Sequence, residues 1–307
     1  MTGHQTVFPM CAARALPGAE EPVLHPHHDA TRTEENLNPF GRCRMTPLPD
    51  PALAGVCAIA VMAKAPRPGH VKTRLQAVLT PDEAARLGGA FLRDVTGNLR
   101  AAAAHAPIHA FVAYAPAGEE ARFDGLLAAG TGLVLADGTG GGADGVEGFG
   151  RCLLHAARTL LARGYGAACV LNADSPTLPT ALLADAATRL LRPGRRAVLG
   201  PAEDGGYWLL GTQAVEARLF ARIAWSTDGV ADATRQRAAE AGLAMDVLGA
   251  WYDVDDQAGL QRLLDELGSI PAARPCRAAA AQPYHAPATA ACVNTLALRA
   301  RLAAMPA

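Results

Sequence analysis

Short apolar runs alternate with helical stretches along the chain from Val56 onwards. The runs are nearly continuous, which is typical of parallel strands covered on both faces. They predict seven strands: Cys57–Ala63, Ile108–Tyr114, Leu133–Leu135, Ala167–Ala173, Ala197–Gly200, Tyr207–Leu210 and Ala244–Leu248. We therefore expect an α/β fold with a doubly wound, mostly parallel sheet and helices on both faces.

The clearest helix signal begins at Thr80. Thr80 can cap a helix, Pro81 suits its first position, and Glu83 completes a capping box. An apolar face follows at spacings of three and four residues: Ala84, Leu87, Phe91, Val95 and Leu99. Further helices are predicted over Phe149–Arg163, Pro179–Leu191, Gly229–Ala241 and Gln257–Leu267.

The two ends of the chain differ from its middle. Residues 1–50 place His25, His27 and His28 among prolines and polar residues without any helical or strand period, which predicts a disordered extension. Residues 51–270 carry the α/β pattern. Residues 271–307 are rich in Ala and Pro, and the leucines at 296, 298 and 302 predict one short packing helix.

Composition narrows the class of protein. The chain has 307 residues, of which 50% are hydrophobic and 19% charged, enough to build a packed core. Its net charge of −1 provides no basic field for nucleic acid. The apolar run Val56–Ala63 is too short to span a membrane, and no signal peptide precedes it. Seven cysteines without C-x-x-C spacing favour a reducing, cytoplasmic location.

A basic loop follows the first predicted strand. Only two of the 28 basic residues are lysines, and both, Lys64 and Lys72, lie in this loop with Arg67 and Arg74. No acidic residue occurs between Pro51 and Pro81, so the loop is suited to a polyphosphate. It differs from a Walker A loop in the position of its glycine. A solvated basic turn is the alternative.

Carboxylates follow later apolar runs. Asp174 comes at the carboxyl end of a predicted buried strand, where it would suit Mg²⁺ or Mn²⁺. Alternation would place Asp253 and Asp255 on one side of an extended segment, so that both could reach one cation. The alternatives are that Asp174 caps a turn and that Asp256 caps the helix that follows it.

A third segment combines acids and glycines. Glu203 and Asp204 precede Gly205 and Gly206, which would let the backbone approach a ligand closely before the strand at Tyr207. A plain Asp-Gly turn between strands would explain the glycines, although not the paired acids.

Two other interpretations are weaker. Gly140, Gly142 and Gly145 match the G-x-G-x-x-G spacing of dinucleotide-binding loops, which leaves an NAD-binding oxidoreductase as a distant alternative. Asp144 and Glu147 would repel a pyrophosphate there. The chain has three serines and none lies in G-x-S-x-G, which disfavours a serine hydrolase.

Four ordered motifs resemble a known family. These are Val61–Leu75, Gly200–Gly211, Trp225-Ser226-Thr227 and Tyr252–Asp255. Over residues 56–267 the chain resembles the CofC-like, radical-SAM/selenodomain-associated transferases. The resemblance implies a GT-A-type nucleotide-diphosphosugar transferase fold, related to phospholactate and molybdenum-cofactor guanylyltransferases.

The resemblance also implies roles for single residues. Lys64, Lys72 and Arg74 would hold nucleotide phosphates, and Asp174, Asp253 and Asp255 would hold the divalent cation. The chain departs from the family in two places. Asn172-Ala173 replaces the usual Gly-Thr before Asp174, and residues 142–147 are a loosened form of the family's Gly-Asp-Leu-Gly-Glu-Arg segment.

The sequence therefore predicts a Mg²⁺- or Mn²⁺-dependent transferase with a nucleotide or nucleotide-sugar donor and a small-molecule acceptor. The catalytic residues would be Lys72, Asp174 and Asp204. Nucleotide binding is assigned to Lys64, Arg67, Lys72 and Arg74, and substrate binding to Glu203, Asp204, Gly205, Gly206 and Tyr207. A non-catalytic nucleotide-binding protein on the same fold is the alternative.

Overall fold

The computed structural model describes residues 49–269 and 282–304. The predicted extension up to residue 48, and the segments 270–281 and 305–307, lie outside the described residues. The strands are β1 (Cys57–Lys64), β2 (Ile108–Ala115), β3 (Gly132–Leu135), β4 (Ala167–Leu171), β5 (Arg196–Pro201), β6 (Tyr207–Thr212) and β7 (Ala244–Val247). The helices are α1 (Pro81–Ala102), α2 (Phe149–Ala162), α3 (Thr180–Leu190), α4 (Val230–Glu240), α5 (Gln257–Ser269), α6 (Pro287–Thr295) and α7 (Leu298–Ala303).

The seven strands form one sheet in the order β3-β2-β1-β4-β6-β5-β7. Strand β6 is antiparallel to both β4 and β5, and the other pairings are parallel. Because β6 runs backwards, its first residue lies at the same edge of the sheet as the carboxyl ends of β1, β4 and β5. Ligands of open α/β sheets bind at this edge.

The sheet is covered on both faces, as the apolar runs predict. On one face, Cys57, Ile59 and Val61 of β1 belong to a core with residues of α1 and α3. On the other, Ala58 and Ala60 belong to a core with residues of α2 and α4. The α/β architecture with helices on both faces is therefore confirmed.

Helix α1 begins as predicted. The Thr80 hydroxyl accepts from the Glu83 N–H, the Glu83 carboxylate accepts from the Thr80 N–H, and Pro81 takes the first position. This reciprocal capping satisfies two amides that the helix start would leave unpaired.

Helices α6 and α7 pack beside α1. The buried Asp94 carboxylate accepts the N–H groups of Ala288 and Thr289 at the start of α6. The Arg301 guanidinium donates to the Glu83 carboxylate. None of the helices within residues 49–269 and 282–304 combines the length and apolar character needed to cross a membrane.

Candidate functional site

Two distant acidic segments are joined at the carboxyl end of β4. The N–H of Val254 donates to the Asp174 carbonyl over 2.9 Å, and the Ser175 hydroxyl donates to the Tyr252 carbonyl over 2.9 Å. The Thr177 hydroxyl also lies 3.1 Å from the Tyr252 phenol oxygen. These bonds hold the segment around Asp255 against the turn that follows β4.

The Lys72 ammonium lies between the two segments. Its Nζ is 2.6 Å from Oδ1 of Asp174, 3.2 Å from Oδ1 of Asp255 and 2.8 Å from the Val254 carbonyl oxygen. The side chain is only 7% exposed, and Nζ stands 4.9 Å from the centre of the Phe91 ring. Lys72 adopts a left-handed backbone (φ 49°), which turns the basic loop into the short 3-10 helix Thr73–Ala77.

The charges of this cluster are strongly coupled. Burial lowers the pKa of Lys72, while Asp174 and Asp255 raise it by more, so the ammonium stays charged. Burial raises the pKa of Asp174 above its usual range, against the opposing effect of Lys72. Burial and the neighbouring carboxylates of Asp255, Asp204 and Asp174 raise the pKa of Asp253 to about 7. The carboxylates of Asp174, Asp204 and Asp255 are thus close enough to Asp253 to disfavour its ionised form.

Asp204 belongs to the same cluster, on the turn between β5 and β6. Its carboxylate accepts the Gly206 N–H over 2.9 Å, which closes a local turn. Gly205 has φ 89°, and a Cβ there would lie 2.0 Å from the Asp228 carbonyl oxygen, so only glycine fits. The turn is anchored at the crevice because the Glu203 N–H donates to the Trp251 carbonyl over 3.1 Å.

The remaining predicted cations have different surroundings. Lys64 ends β1 at the crevice edge, and partial burial lowers its pKa. Arg74 is half exposed, with Nη1 4.0 Å from Oδ2 of Asp255. Arg67 instead pairs with Glu119, at 3.4 Å, away from the carboxylate cluster. Lys72 and Arg74 thus meet the predicted acids directly, and Arg67 does not.

Two of the predicted substrate-binding residues, Glu203 and Tyr207, have contacts of their own in the fold. The Glu203 carboxylate forms a two-bond ion pair with Arg262, whose guanidinium lies 4.0 Å from the centre of the Tyr252 ring. Tyr207 packs edge-on against Trp225, with ring centres 6.4 Å apart, and its hydroxyl is buried without a partner in the described residues.

The glycine-rich loop is bound to its own helix. A Cβ on Gly141 would lie 1.8 Å from the Arg151 carbonyl oxygen, and one on Gly140 would lie 2.4 Å from the His155 ring. Arg158 donates to the carbonyls of Gly140 and Gly142. The loop follows β3 at the edge of the sheet, whereas a dinucleotide-binding loop follows the first strand. Close packing against α2 therefore explains Gly140 and Gly141.

Sequence reasoning missed the groups that surround Lys72. The Val254 carbonyl carries no side-chain signal, and Phe91 reads simply as one residue of the apolar face of α1. The alternating acids Asp253 and Asp255 were the available signal for this segment, and they did not indicate the Val254 carbonyl between them.

The donor chemistry of the cluster fits a hard divalent cation. Asp174, Asp253 and Asp255 offer carboxylate oxygens only, the ligands that Mg²⁺ and Mn²⁺ prefer. Within the described ranges, however, no three His, Cys, Asp or Glu side chains are already arranged to hold a metal. The Lys72 ammonium contacts two of the three predicted ligands, Asp174 and Asp255.

A groove of about 1060 Å³ lies elsewhere, along the outer side of α1. Arg86, Arg93 and Arg100 line it at seven-residue spacing, together with Pro66 and Tyr284. It includes none of the predicted site residues.

Comparison with known proteins agrees with this fold. Residues 98–227 match the family DUF2064, described as an uncharacterized protein conserved in bacteria. A solved structure from Desulfovibrio desulfuricans G20, described as a "putative nucleotide-diphospho-sugar transferase", is 29% identical. The match covers 67% of this chain and 85% of that one, with a TM-score of 0.57. No curated protein matches the chain in sequence.

Two other solved structures match the fold of this chain less well. CMP:2-keto-3-deoxy-manno-octonic acid synthetase, solved with CTP, is 12% identical over 69% of this chain and 98% of its own (TM-score 0.44). Rv0371c of Mycobacterium tuberculosis H37Rv, solved with manganese, is 15% identical over 68% and 98% (TM-score 0.37). Together with its sheet order, the similarity to the Desulfovibrio protein gives this chain a GT-A-like α/β fold.

Proposed function

We propose that this protein is a metal-dependent transferase that uses a nucleotide or nucleotide-sugar donor and a small-molecule acceptor. The observation that carries the proposal is the carboxylate cluster at the carboxyl edge of the sheet, in which Asp174 and Asp255 contact the Lys72 ammonium and Asp253 lies close enough to interact with both. The likeness to the Desulfovibrio protein supports the same class of donor.

In this proposal Asp174, Asp253 and Asp255 hold Mg²⁺ or Mn²⁺. A bound divalent cation would neutralise phosphate oxygens and so lower the cost of charge on the leaving group. Burial, together with the neighbouring carboxylates, raises the pKa of Asp253 to about 7, and a bound cation would favour its ionised form.

The chain's own cations complete the donor site. Lys64 at the end of β1 and Arg74 beside Asp255 flank the crevice, where they bind the donor phosphates. Lys72, as a compact ammonium on a flexible stem, can follow charge that develops during transfer. Arg67, which also pairs with Glu119, is proposed to bind the donor phosphates from the outer end of the loop.

The acceptor is proposed to bind at the segment Glu203–Tyr207. Gly205 and Gly206 keep side chains out of the turn, and the Asp204 carboxylate stands near Asp253. In this proposal Asp204 takes a proton from an acceptor hydroxyl.

Calorimetric titration tests the proposal. GTP, CTP, UTP, ATP, UDP-glucose, GDP-mannose and NAD are each titrated with and without Mg²⁺ or Mn²⁺. Metal-dependent binding of one nucleotide or sugar nucleotide, followed by release of pyrophosphate or nucleoside diphosphate with an acceptor, is the expected result. Binding without turnover would support the non-catalytic alternative, and binding of NAD alone the oxidoreductase. Failure of every compound to bind would overturn the proposal.

A further inference from the structure

The Lys72 ammonium has no hydrogen-bond donor left for a ligand. An ammonium carries three N–H donors. Its neighbours at 2.6, 2.8 and 3.2 Å are the Asp174 carboxylate, the Val254 carbonyl and the Asp255 carboxylate, and together they use all three. A donor phosphate can bind this side chain only if at least one of these contacts is given up.

The same ammonium occupies the space expected for a metal. Two of the three predicted metal ligands, Asp174 and Asp255, are bound to Lys72. The surroundings favour this pairing, because a charge buried at 7% exposure requires opposite charges close by. In the described part of the chain, no three His, Cys, Asp or Glu side chains are arranged to bind a metal without a change in the Lys72 contacts.

We propose that Lys72 is a built-in counter-ion that closes the metal site and is exchanged for the divalent cation. This inference rests on the proposed function. Asp174 and Asp255 would hold the divalent cation, and the Lys72 ammonium would swing on its flexible stem into the crevice, where its N–H groups would bind the nucleotide phosphates.

Exchange of this kind makes metal and nucleotide binding cooperative. The cation releases the phosphate-binding ammonium, and a phosphate that captures the ammonium leaves the carboxylates to the cation. Thermodynamic linkage requires each ligand to strengthen the other by the same factor. Lys72 is thus the residue through which the two ligands of the site are coupled.

The two lysines of the chain allow a direct test on the unaltered protein. Amine acetylation at pH 8, read residue by residue by mass spectrometry, reports Lys72 and uses Lys64 as the internal control. Without metal, Lys72 reacts slowly. Addition of Mn²⁺ alone is expected to accelerate its acetylation about tenfold, the size of a typical coupling, and to leave Lys64 within about twofold.

Metal affinity gives a second readout. Lys72→Met removes the competing ammonium, and at pH 8 the variant is expected to bind Mn²⁺ about tenfold tighter than the unaltered protein, because the open site no longer has to be uncovered. Arg100→Met is the matched control, since it also replaces a cation by methionine but lies in the groove along α1, which includes none of the predicted site residues. Its affinity should change about threefold at most.

The outcomes separate this inference from the proposed function. Mn²⁺ that binds through Asp174, shown by its loss in Asp174→Asn, while Lys72 stays protected from acetylation would overturn the exchange and leave the transferase proposal standing. Equal or weaker Mn²⁺ binding by a folded Lys72→Met variant would also overturn the exchange. If the unaltered protein binds no Mn²⁺, the metal dependence in the proposed function fails with it. The acetylation experiment does not depend on whether Lys72→Met folds.

Discussion

Two loops of this protein have features of a phosphate-binding loop, and the structure gives them different environments. The glycine-rich loop after β3 is pressed onto α2, where Gly141 contacts the Arg151 backbone and Gly140 lies under His155. The basic loop after β1 brings Lys72 to Asp174 and Asp255 at the carboxyl edge of the sheet. One loop uses its glycines for packing, and the other uses its charges to meet buried acids.

The comparison shows which sequence signal is informative about chemistry. Glycine spacing arises wherever a backbone must pass close to another element, so it does not distinguish a ligand from a neighbouring helix. Buried charge is costly unless it is paired, and a cluster of unequal charges therefore points to a further ligand. The larger expected effect on binding thus belongs to the basic loop and its acids.

The largest effect is expected from Asp174→Ala. Loss of one electrostatic contact at a reacting centre typically costs about 3–4 kcal/mol, so we expect turnover to fall by about a hundredfold or more. Metal-dependent nucleotide binding should weaken in the same titrations. The matched control is Asp137→Asn, which alters an acid beside the glycine-rich loop that bonds Thr139 and lies 3.3 Å from His155. Equal losses in both variants would erase the distinction between the two loops.

Gly141→Ala is expected to have the next largest effect, which is a loss of stability. The added Cβ would meet the Arg151 carbonyl oxygen at 1.8 Å, so the loop or the helix must move. We expect the free energy of unfolding to fall by about 3 kcal/mol, measured by urea denaturation.

Gly142→Ala is its control. This glycine has φ −68°, and no atom would lie within 4 Å of an added Cβ. Stability should stay within about 1 kcal/mol of the unaltered protein. If Gly142→Ala were as damaging as Gly141→Ala, close packing on α2 would not be the reason for the glycines.

The smallest effect concerns an ion pair outside both loops. Bonds from Arg301 and the Thr80 N–H lower the pKa of Glu83 from 4.5 to about 2. Because the folded protein favours ionised Glu83, this contribution is complete above pH 4.5 and is lost as the pH falls towards 2. Glu83→Gln should lower the unfolding free energy by about 1 kcal/mol at pH 7, after allowance for solvent screening, and by only a small fraction of that near pH 2.

Chemical denaturation across that pH range measures the difference. Addition of Mn²⁺ should leave this stability difference unchanged, whereas it is expected to break the Lys72 ion pairs. A difference that persists undiminished at pH 2 would contradict a contribution from the Glu83 charge.

The sequence was sufficient to predict the elements that position the site. Continuous apolar runs located all seven strands to within a few residues, and the capping box at Thr80 was confirmed. The direction of β6 was not predictable, because a buried run reads the same for either direction. The sheet places Tyr207 at the crevice edge only because β6 is antiparallel.

The pairing of the site's charges was less accessible. The sequence identified Lys72, Asp174 and Asp255 as candidates, yet the contact that joins them spans more than a hundred residues and depends on the bond between Val254 and Asp174. The ion pairs of Arg67 with Glu119 and Glu203 with Arg262 are likewise products of the tertiary fold. Residue types reveal which groups carry charge, and only the fold reveals which charges meet.

Anomalous X-ray diffraction from crystals soaked in Mn²⁺ alone tests the central claim most directly. We predict a strong manganese peak bonded to the carboxylates of Asp174 and Asp255, with the Lys72 ammonium displaced into the crevice. Crystals without a peak at the cluster, in which Lys72 still binds Asp174 at a saturating Mn²⁺ concentration, would contradict it.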